Sequence, residues 1–271
     1  MKPEIKAELS DWLPQFVTSE RNDLINKILK MRTRRITAVL ENIFQPHNAS
    51  AVLRSCDIFG IQDVHIIEDV YEYTVNPDVA MGASRWLTLH RYGQPDPLPA
   101  RGTKGTREAA DIRKATLSST PDCIEQLKQD GYAIVATSLR PGAVSLYDLP
   151  IDKPLALCFG TEETGLSDVA HELADVYMTI PMVGFTQSFN ISVSAALSLQ
   201  HLTHKLRQSS TDWPLSPAEA KDIRLAWLIQ SATKGDALVR QFLRDRDEAI
   251  PEEFMPEPVI KPTPKNNYLA N

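Results

Sequence analysis

The chain has 271 residues, 42% of them hydrophobic and 24% charged, with a net charge of −6 at pH 7, which suits one sizeable globular domain with appendages. No apolar run approaches the ~20 residues of a membrane span, the N-terminus carries acids with Pro3, Trp12 and Pro14 instead of a signal-peptide core, and we expect a cytoplasmic protein. Cys56, Cys123 and Cys158 stand apart with no partner or His at metal spacing, so they read as buried small side chains in a reducing compartment, and no metal is expected.

Residues 1–35 read as a helical arm, with Leu24, Ile25, Ile28 and Leu29 on one face. Lys27, Lys30, Arg32, Arg34 and Arg35 follow one another without an acid among them. Such a run is either a solvated helix face or a contact for a polyanion, although the acidic total argues mildly against a nucleic-acid partner. Apolar runs at Ile36–Leu40, Val64–Ile67, Ala133–Thr137, Leu155–Phe159 and Val176–Ile180 read as strands, with helical patterns between them. That alternation predicts an α/β fold: a mostly parallel sheet with helices on both faces.

Three junctions between strand and helix hold the polar residues. After the first strand, Asn48 is placed to cap a helix whose apolar positions are Val52, Leu53, Cys56 and Ile58, and Gly60 supplies the stop. Arg54 lies inside that helix, and the spacing leaves open whether it faces solvent or a pocket. Residues 93–116 are read as a loop insertion. Within it, Gly102–Thr106 has the flavour of a phosphate loop, but Pro97 stands where that pattern needs Gly and no apolar strand precedes it. At the second junction Leu155–Phe159 ends in Gly160, a turn holds Glu162 and Glu163, and Ser167 opens a helix. The third sets Thr186, Gln187, Ser188 and Asn190 before the helix Ser192–Leu206, with Asn190 of a type that caps a helix. In open α/β sheets ligands bind at such points, outside the carboxyl ends of the strands. A linker from Gln208 to Trp213 follows, then a capping box at Ser216–Glu219 opening a helical extension over 208–255. The Pro-rich segment 256–271 reads as a disordered tail.

Asn48 with Arg54, then Phe159–Gly165, then Ile180–Ser192 carry, in order, patterns that resemble the three motifs of the SpoU class of RNA ribose 2′-O-methyltransferases. The wording from Pro46 to Asp57 is most similar to the branch that methylates guanosine 18 in the D-loop of tRNA. The resemblance covers roughly residues 36–205 and implies a deep C-terminal trefoil knot, the SPOUT fold, in residues 36–207. It also implies S-adenosylmethionine as cofactor, tRNA as substrate, and a homodimer in which one site borrows its arginine from the partner. Arg54 matches the catalytic arginine, as proton acceptor or phosphate clamp; a guanidinium with a pKa above ~12 strains a plain base role. Asn48 would order the loop near Arg54, Glu162 would steady its motif or touch substrate, and Ser188 and Asn190 would hydrogen-bond around the ribose or the methionine end of the cofactor. The cofactor-lining positions carried over are Thr137, Gly160, Ile180, Met182 and Phe189. Lys27, Arg32, Arg34 and Arg35 in the basic arm 1–35, with His47, would meet RNA. The same motifs serve ribosomal-RNA enzymes, which often carry a longer N-terminal RNA-binding domain. A catalytically silent RNA-binding paralogue would not need all of Asn48, Arg54, Glu162, Ser188 and Asn190.

Overall fold

The computed structural model describes residues 1–43, 45–69, 80, 82–93 and 119–254. The N-terminal helices α1 (Pro3–Trp12) and α2 (Ser19–Leu29) precede β1 (Ile36–Glu41), α3 (Pro46–Phe59), β2 (Asp63–Ile67) and β3 (Thr88–Tyr92). Next come α4 (Thr120–Gln129), β4 (Ala133–Thr137), β5 (Val144–Ser145), β6 (Leu155–Phe159), α5 (Asp168–Leu173), β7 (Val176–Thr179) and α6 (Ile191–Gln208). The last helices are α7 (Pro217–Ser231) and α8 (Gly235–Arg244). The strands form one seven-stranded sheet in the order β3-β2-β1-β6-β4-β7-β5, with every neighbouring pair parallel.

The central strands β1 and β6 are buried along their whole length. A parallel strand covered on both faces reads as a continuous apolar run, and these two runs are plain in the sequence. On one face, Val52, Leu53 and Cys56 of α3 and Ala195, Leu199 and Leu202 of α6 pack with Ala38, Leu40 and Leu157. On the other, Cys123, Ile124 and Leu127 of α4 and Ala170 of α5 pack with Val39, Ile134 and Ala156. Burial pushes the thiols of Cys56 and Cys123 up to about 12 and raises that of Cys158 well above its ordinary value, so all three behave as apolar filler. No helix among the described residues is long and apolar enough to cross a membrane.

Helix α3 departs from the expected start. Gln45 occupies the cap and Pro46 the first helical position, where a missing N–H costs nothing, so Asn48 lies inside the first turn and is not the cap. Gly60 ends α3 as expected: at φ +81° it lets the Ile61 N–H reach the Cys56 carbonyl at 2.9 Å. A Cβ there would stand 2.5 Å from the Met31 carbonyl oxygen. Asn190 and Ser167 do cap their helices, accepting from the Ser192 N–H at 2.9 Å and the Ala170 N–H at 3.1 Å. The box at Ser216 closes both ways, with the Ser216 N–H to Glu219 at 2.8 Å and the Glu219 N–H to Ser216 at 3.3 Å.

Contacts divide the chain into two compact units, Lys27–Ala220 and Met1–Asn26 with Lys221 onward. These divisions fall inside α2 and α7, not at residues 35 and 207. Of the expected apolar stripe on α2, Ile25 and Leu29 are buried while Leu24 and Ile28 are exposed. The expected insertion from residue 94, with Gly102–Thr106, and the expected tail 256–271 lie outside the described residues.

Candidate active site

The segments that follow β4, β6 and β7 converge at the carboxyl ends of the sheet and line a cavity of about 700 Å³, within the usual range for a small-molecule site. From β4 come Thr137, Ser138, Leu139 and Arg140. The turn after β6 supplies Gly160, Glu162 and Gly165, and the segment after β7 supplies Ile180, Met182, Ser188 and Phe189. Apolar Leu139, Ile180, Met182 and Phe189 can enclose an adenosyl group, and Ser138, Glu162, Ser188 and Ser194 offer polar partners for ribose and amino-acid ends. The lining therefore fits S-adenosylmethionine.

The turn after β6 is stiff. The Thr161 and Gly165 backbones bond each other twice, each at 3.0 Å, and the Thr161 hydroxyl oxygen accepts the Thr164 N–H at 3.1 Å. A Cβ on Gly160 would lie 2.2 Å from the Gly165 carbonyl, so only glycine permits the closure. Glu162 projects from this turn. Its carboxylate accepts the Asn190 amide, whose NH₂ group also donates to Asn48 Oδ1 at 3.1 Å. Asn48 in turn donates to Gln45 Oε1 at 2.9 Å. Three chain segments far apart in sequence are thus tied through one side chain.

All five carried-over lining positions, Thr137, Gly160, Ile180, Met182 and Phe189, reach the same cavity. The Thr137 hydroxyl is already donated to the Cys158 carbonyl at 2.8 Å, which leaves its backbone and methyl for a ligand. Asn48, Glu162 and Asn190 meet as described, and Ser188 lines the cavity. Arg54 and His47 are exposed on α3 and are not among the lining residues.

The basic run behaves otherwise than its charge suggests. Arg32 is 1% exposed, pairs with Asp57 and donates to the Ile61 carbonyl at 2.8 Å; it is an internal brace and cannot meet RNA. Arg34 is split between Asp63 at 2.7 Å and Glu219 at 3.0 Å. Arg35 donates to the Ile151 and Asp152 carbonyls at 3.3 and 2.6 Å. Lys27 and Lys30 are exposed.

Two buried groups beside the cavity were not singled out in the sequence. His171 lies on the cavity wall. Glu41 holds the head of α5, accepting the Ser167 N–H at 2.8 Å and hydroxyl at 2.6 Å. The Ser167 cap was legible, and a histidine four residues beyond a cap was the signal available for the first; nothing local marks Glu41.

The family model described as "SpoU rRNA Methylase family" matches residues 35–106 and 96–200. The tRNA (guanosine(18)-2′-O)-methyltransferase of Borreliella burgdorferi is 43% identical over 218 residues, covering 80% of this chain and 88% of that protein. The protein of the same name from Thermus thermophilus is 30% identical over 213 residues, 78% of this chain and 97% of its own. Among solved structures, the TrmH/SpoU tRNA modifying enzyme of A. aeolicus superposes with a TM-score of 0.63 at 24% identity, covering 79% of this chain and 98% of that one, a likeness that bears on the fold. With the second and third motifs lining one cavity, Asn48 of the first bonded to Asn190 of the third, and these matches spanning most of the sequence, the chain belongs to the SpoU methylase family.

Proposed function

We propose that this protein methylates the ribose 2′-hydroxyl of guanosine 18 in tRNA, acting as a cytoplasmic homodimer. The observation that carries this reading is the 43% identity, over 80% of this chain and 88% of the relative, to a protein named for that reaction. Bound S-adenosylmethionine supplies an electrophilic methyl group; the protein's task is to hold it, hold the ribose in line, and move one proton. Ile180, Met182 and Phe189 enclose the adenosyl part, while the backbones at Thr137 and Gly160 and the Ser188 hydroxyl fix its polar edges. Asn190 holds Glu162 at the rim, where it steadies the turn or meets the substrate.

Arg54 works in the partner's cavity. Its planar fork suits the phosphate beside the reacting ribose: Arg54 clamps that phosphate, and a non-bridging phosphate oxygen takes the 2′-hydroxyl proton. What supports a dimer is exposed apolar surface: Ile58, one helical turn from Arg54 on α3, is 66% exposed, and Val193 and Leu197 of α6 are also exposed. In this reading residues 179–197 complete the knot of the SPOUT fold, a claim that an experimental structure in which the chain from Gly160 onward threads no loop would overturn. Lys27 and His47 meet the RNA, with residues 27–220 as the catalytic body.

A labelled methyl donor and two transcripts test the reaction. Unmodified tRNA should be labelled, and the same tRNA with 2′-deoxyguanosine at position 18 should not. Equal labelling of both, or preference for a ribosomal-RNA fragment, would replace this reading with another target in the same family.

A further inference from the structure

Helix α5 carries His171, buried and outside all three motifs, and its ring makes two hydrogen bonds. Nδ1 lies 2.9 Å from the Ser167 carbonyl and Nε2 lies 3.1 Å from Ser138 Oγ. A carbonyl only accepts, so Nδ1 carries the proton; in the neutral ring Nε2 is then bare and accepts from the Ser138 hydroxyl. Ser138 Oγ in turn accepts the Arg140 N–H at 3.1 Å. One helical turn away on the same helix, Asp168 takes the Arg140 guanidinium at 2.6 Å. Residues three apart share a helix face, so Asp168 and His171 grip the chain at two points flanking Leu139.

The helix itself is anchored. Buried Glu41 holds Ser167 through its N–H and hydroxyl and also accepts the Thr120 hydroxyl at 2.7 Å. The Tyr177 hydroxyl donates to the His171 carbonyl at 3.0 Å, and the two rings meet edge to face at 5.7 Å. Leu139, carried between the gripped residues, is an exposed apolar side chain that nevertheless lines the cavity.

We infer that His171, fixed as its Nδ1–H tautomer, is a positioning residue that with Asp168 holds the segment Ser138–Arg140 so that Leu139 forms an apolar wall for the adenosyl cofactor. This rests on the cofactor proposed for the cavity. The grip acts on affinity and not on chemistry, because none of its members touches the position of the reacting hydroxyl in that reading.

Binding of S-adenosylhomocysteine to the full-length protein, measured by calorimetry, tests it. His171→Leu, Ser138→Ala and Leu139→Ala should each weaken binding by about fivefold to tenfold, the worth of one fixed contact, while kcat of His171→Leu at saturating cofactor changes by less than about twofold. Ser138→Ala removes one half-buried hydroxyl and serves where a His171 variant fails to fold. His171→Gln, which can still accept from Ser138, should bind within about threefold of the parent, and Ser138→Ala combined with His171→Leu should be no weaker than either alone. Nitrogen NMR of His171 should report a protonated Nδ1 and a bare Nε2. Unchanged affinity in Ser138→Ala and Leu139→Ala, or a ring protonated at Nε2, overturns the inference. A parent protein that binds no S-adenosylhomocysteine overturns the reading of the cavity itself, and this inference with it.

Discussion

Asn190 shows what one side chain can do when every polar atom is used. Its carbonyl oxygen caps α6, accepting from the Ser192 N–H and hydroxyl at 2.9 and 2.6 Å, and its two N–H groups go to Asn48 and Glu162. An aspartate could cap equally well but would set a carboxylate against Glu162. The cap was legible from sequence; its second task was not, since it depends on residues 28 and 142 positions away. Arg54 is the opposite case, visible in sequence and exposed in the structure. If it acts on the RNA phosphate, Arg54→Ala should lower turnover by on the order of a hundredfold or more with cofactor affinity unchanged, and Arg54→Lys should rescue poorly because an ammonium lacks the planar fork. Methyl-transfer rates and cofactor titration on both variants decide this, and near-normal turnover in Arg54→Ala would remove Arg54 from the mechanism. Arg32 carries a different expectation. Removing it leaves Asp57 unpaired beside the core, so Arg32→Ala should cost about 3 kcal/mol, the low end for breaking a buried pair because Asp57 keeps some access to water. Denaturant unfolding checks the loss. A run of like charges says nothing about burial, and Asp57 lies inside an apolar-patterned helix, so this pair could not be read from the sequence.

Among elements, the strands that cross the middle of the sheet were legible because burial on both faces leaves no polar alternation to confuse them. The edge strands were not. β3, Thr88–Tyr92, carries His90 and Arg91, and β5 has two residues, too few to show a period. The same edge hides a buried histidine. His65 on β2 stacks on His90 with ring centroids 4.5 Å apart, and burial, then the nearby His90, lowers its pKa from 6.5 to about 4. Below pH 6.5 the unfolded chain takes up a proton that folded His65 refuses, so stability falls as pH drops from about 6.5 towards 4. Between pH 7 and pH 5 this amounts to about 2 kcal/mol at most. Unfolding free energies at the two pH values should show it, and His65→Gln should flatten the difference. Asp63, whose pKa is lowered, contributes only in more acid solution. The turn after β6 yields a sharper expectation. Gly160→Ala must force the Thr161–Gly165 closure open, costing about 1–3 kcal/mol of overpacking and removing most cofactor binding; an alanine variant that titrates normally would show that the turn can relax.

For the molecule as a whole, the alternation of strand and helix specified the class of fold. The positions of the compact units were not legible, since α2 and α7 are each continuous helices and no break in pattern marks residues 26 or 220. Assembly is the remaining whole-molecule question. If the exposed Ile58, Val193 and Leu197 meet a second copy, sedimentation should give about twice the chain mass of 30.3 kDa. Leu197→Asp, placing a charge on that face, should shift the protein to monomer and lower turnover while leaving the fold intact by circular dichroism. A parent protein that sediments as a monomer at micromolar concentration would leave those side chains without the partner proposed for them.

The strand order also sets a schedule for synthesis. β1 lies beside β6, Ile36 opposite Leu155, so the first strand to leave the ribosome waits about 120 residues for its neighbour. At roughly 5–20 residues per second, that is about 6 to 24 seconds in which one side of β1 has no partner strand, although β2 can already cover the other. A nascent chain stalled before residue 155 therefore presents an open, apolar parallel edge, the kind of surface that chaperones bind and that aggregates pair with. Once Phe159 is out, the centre of the sheet can close. Protease protection of stalled chains should rise in a step once arrest lies far enough beyond that residue for it to have cleared the ribosome, and synonymous codons that slow translation between α4 and β6 should lower soluble yield without altering the finished protein.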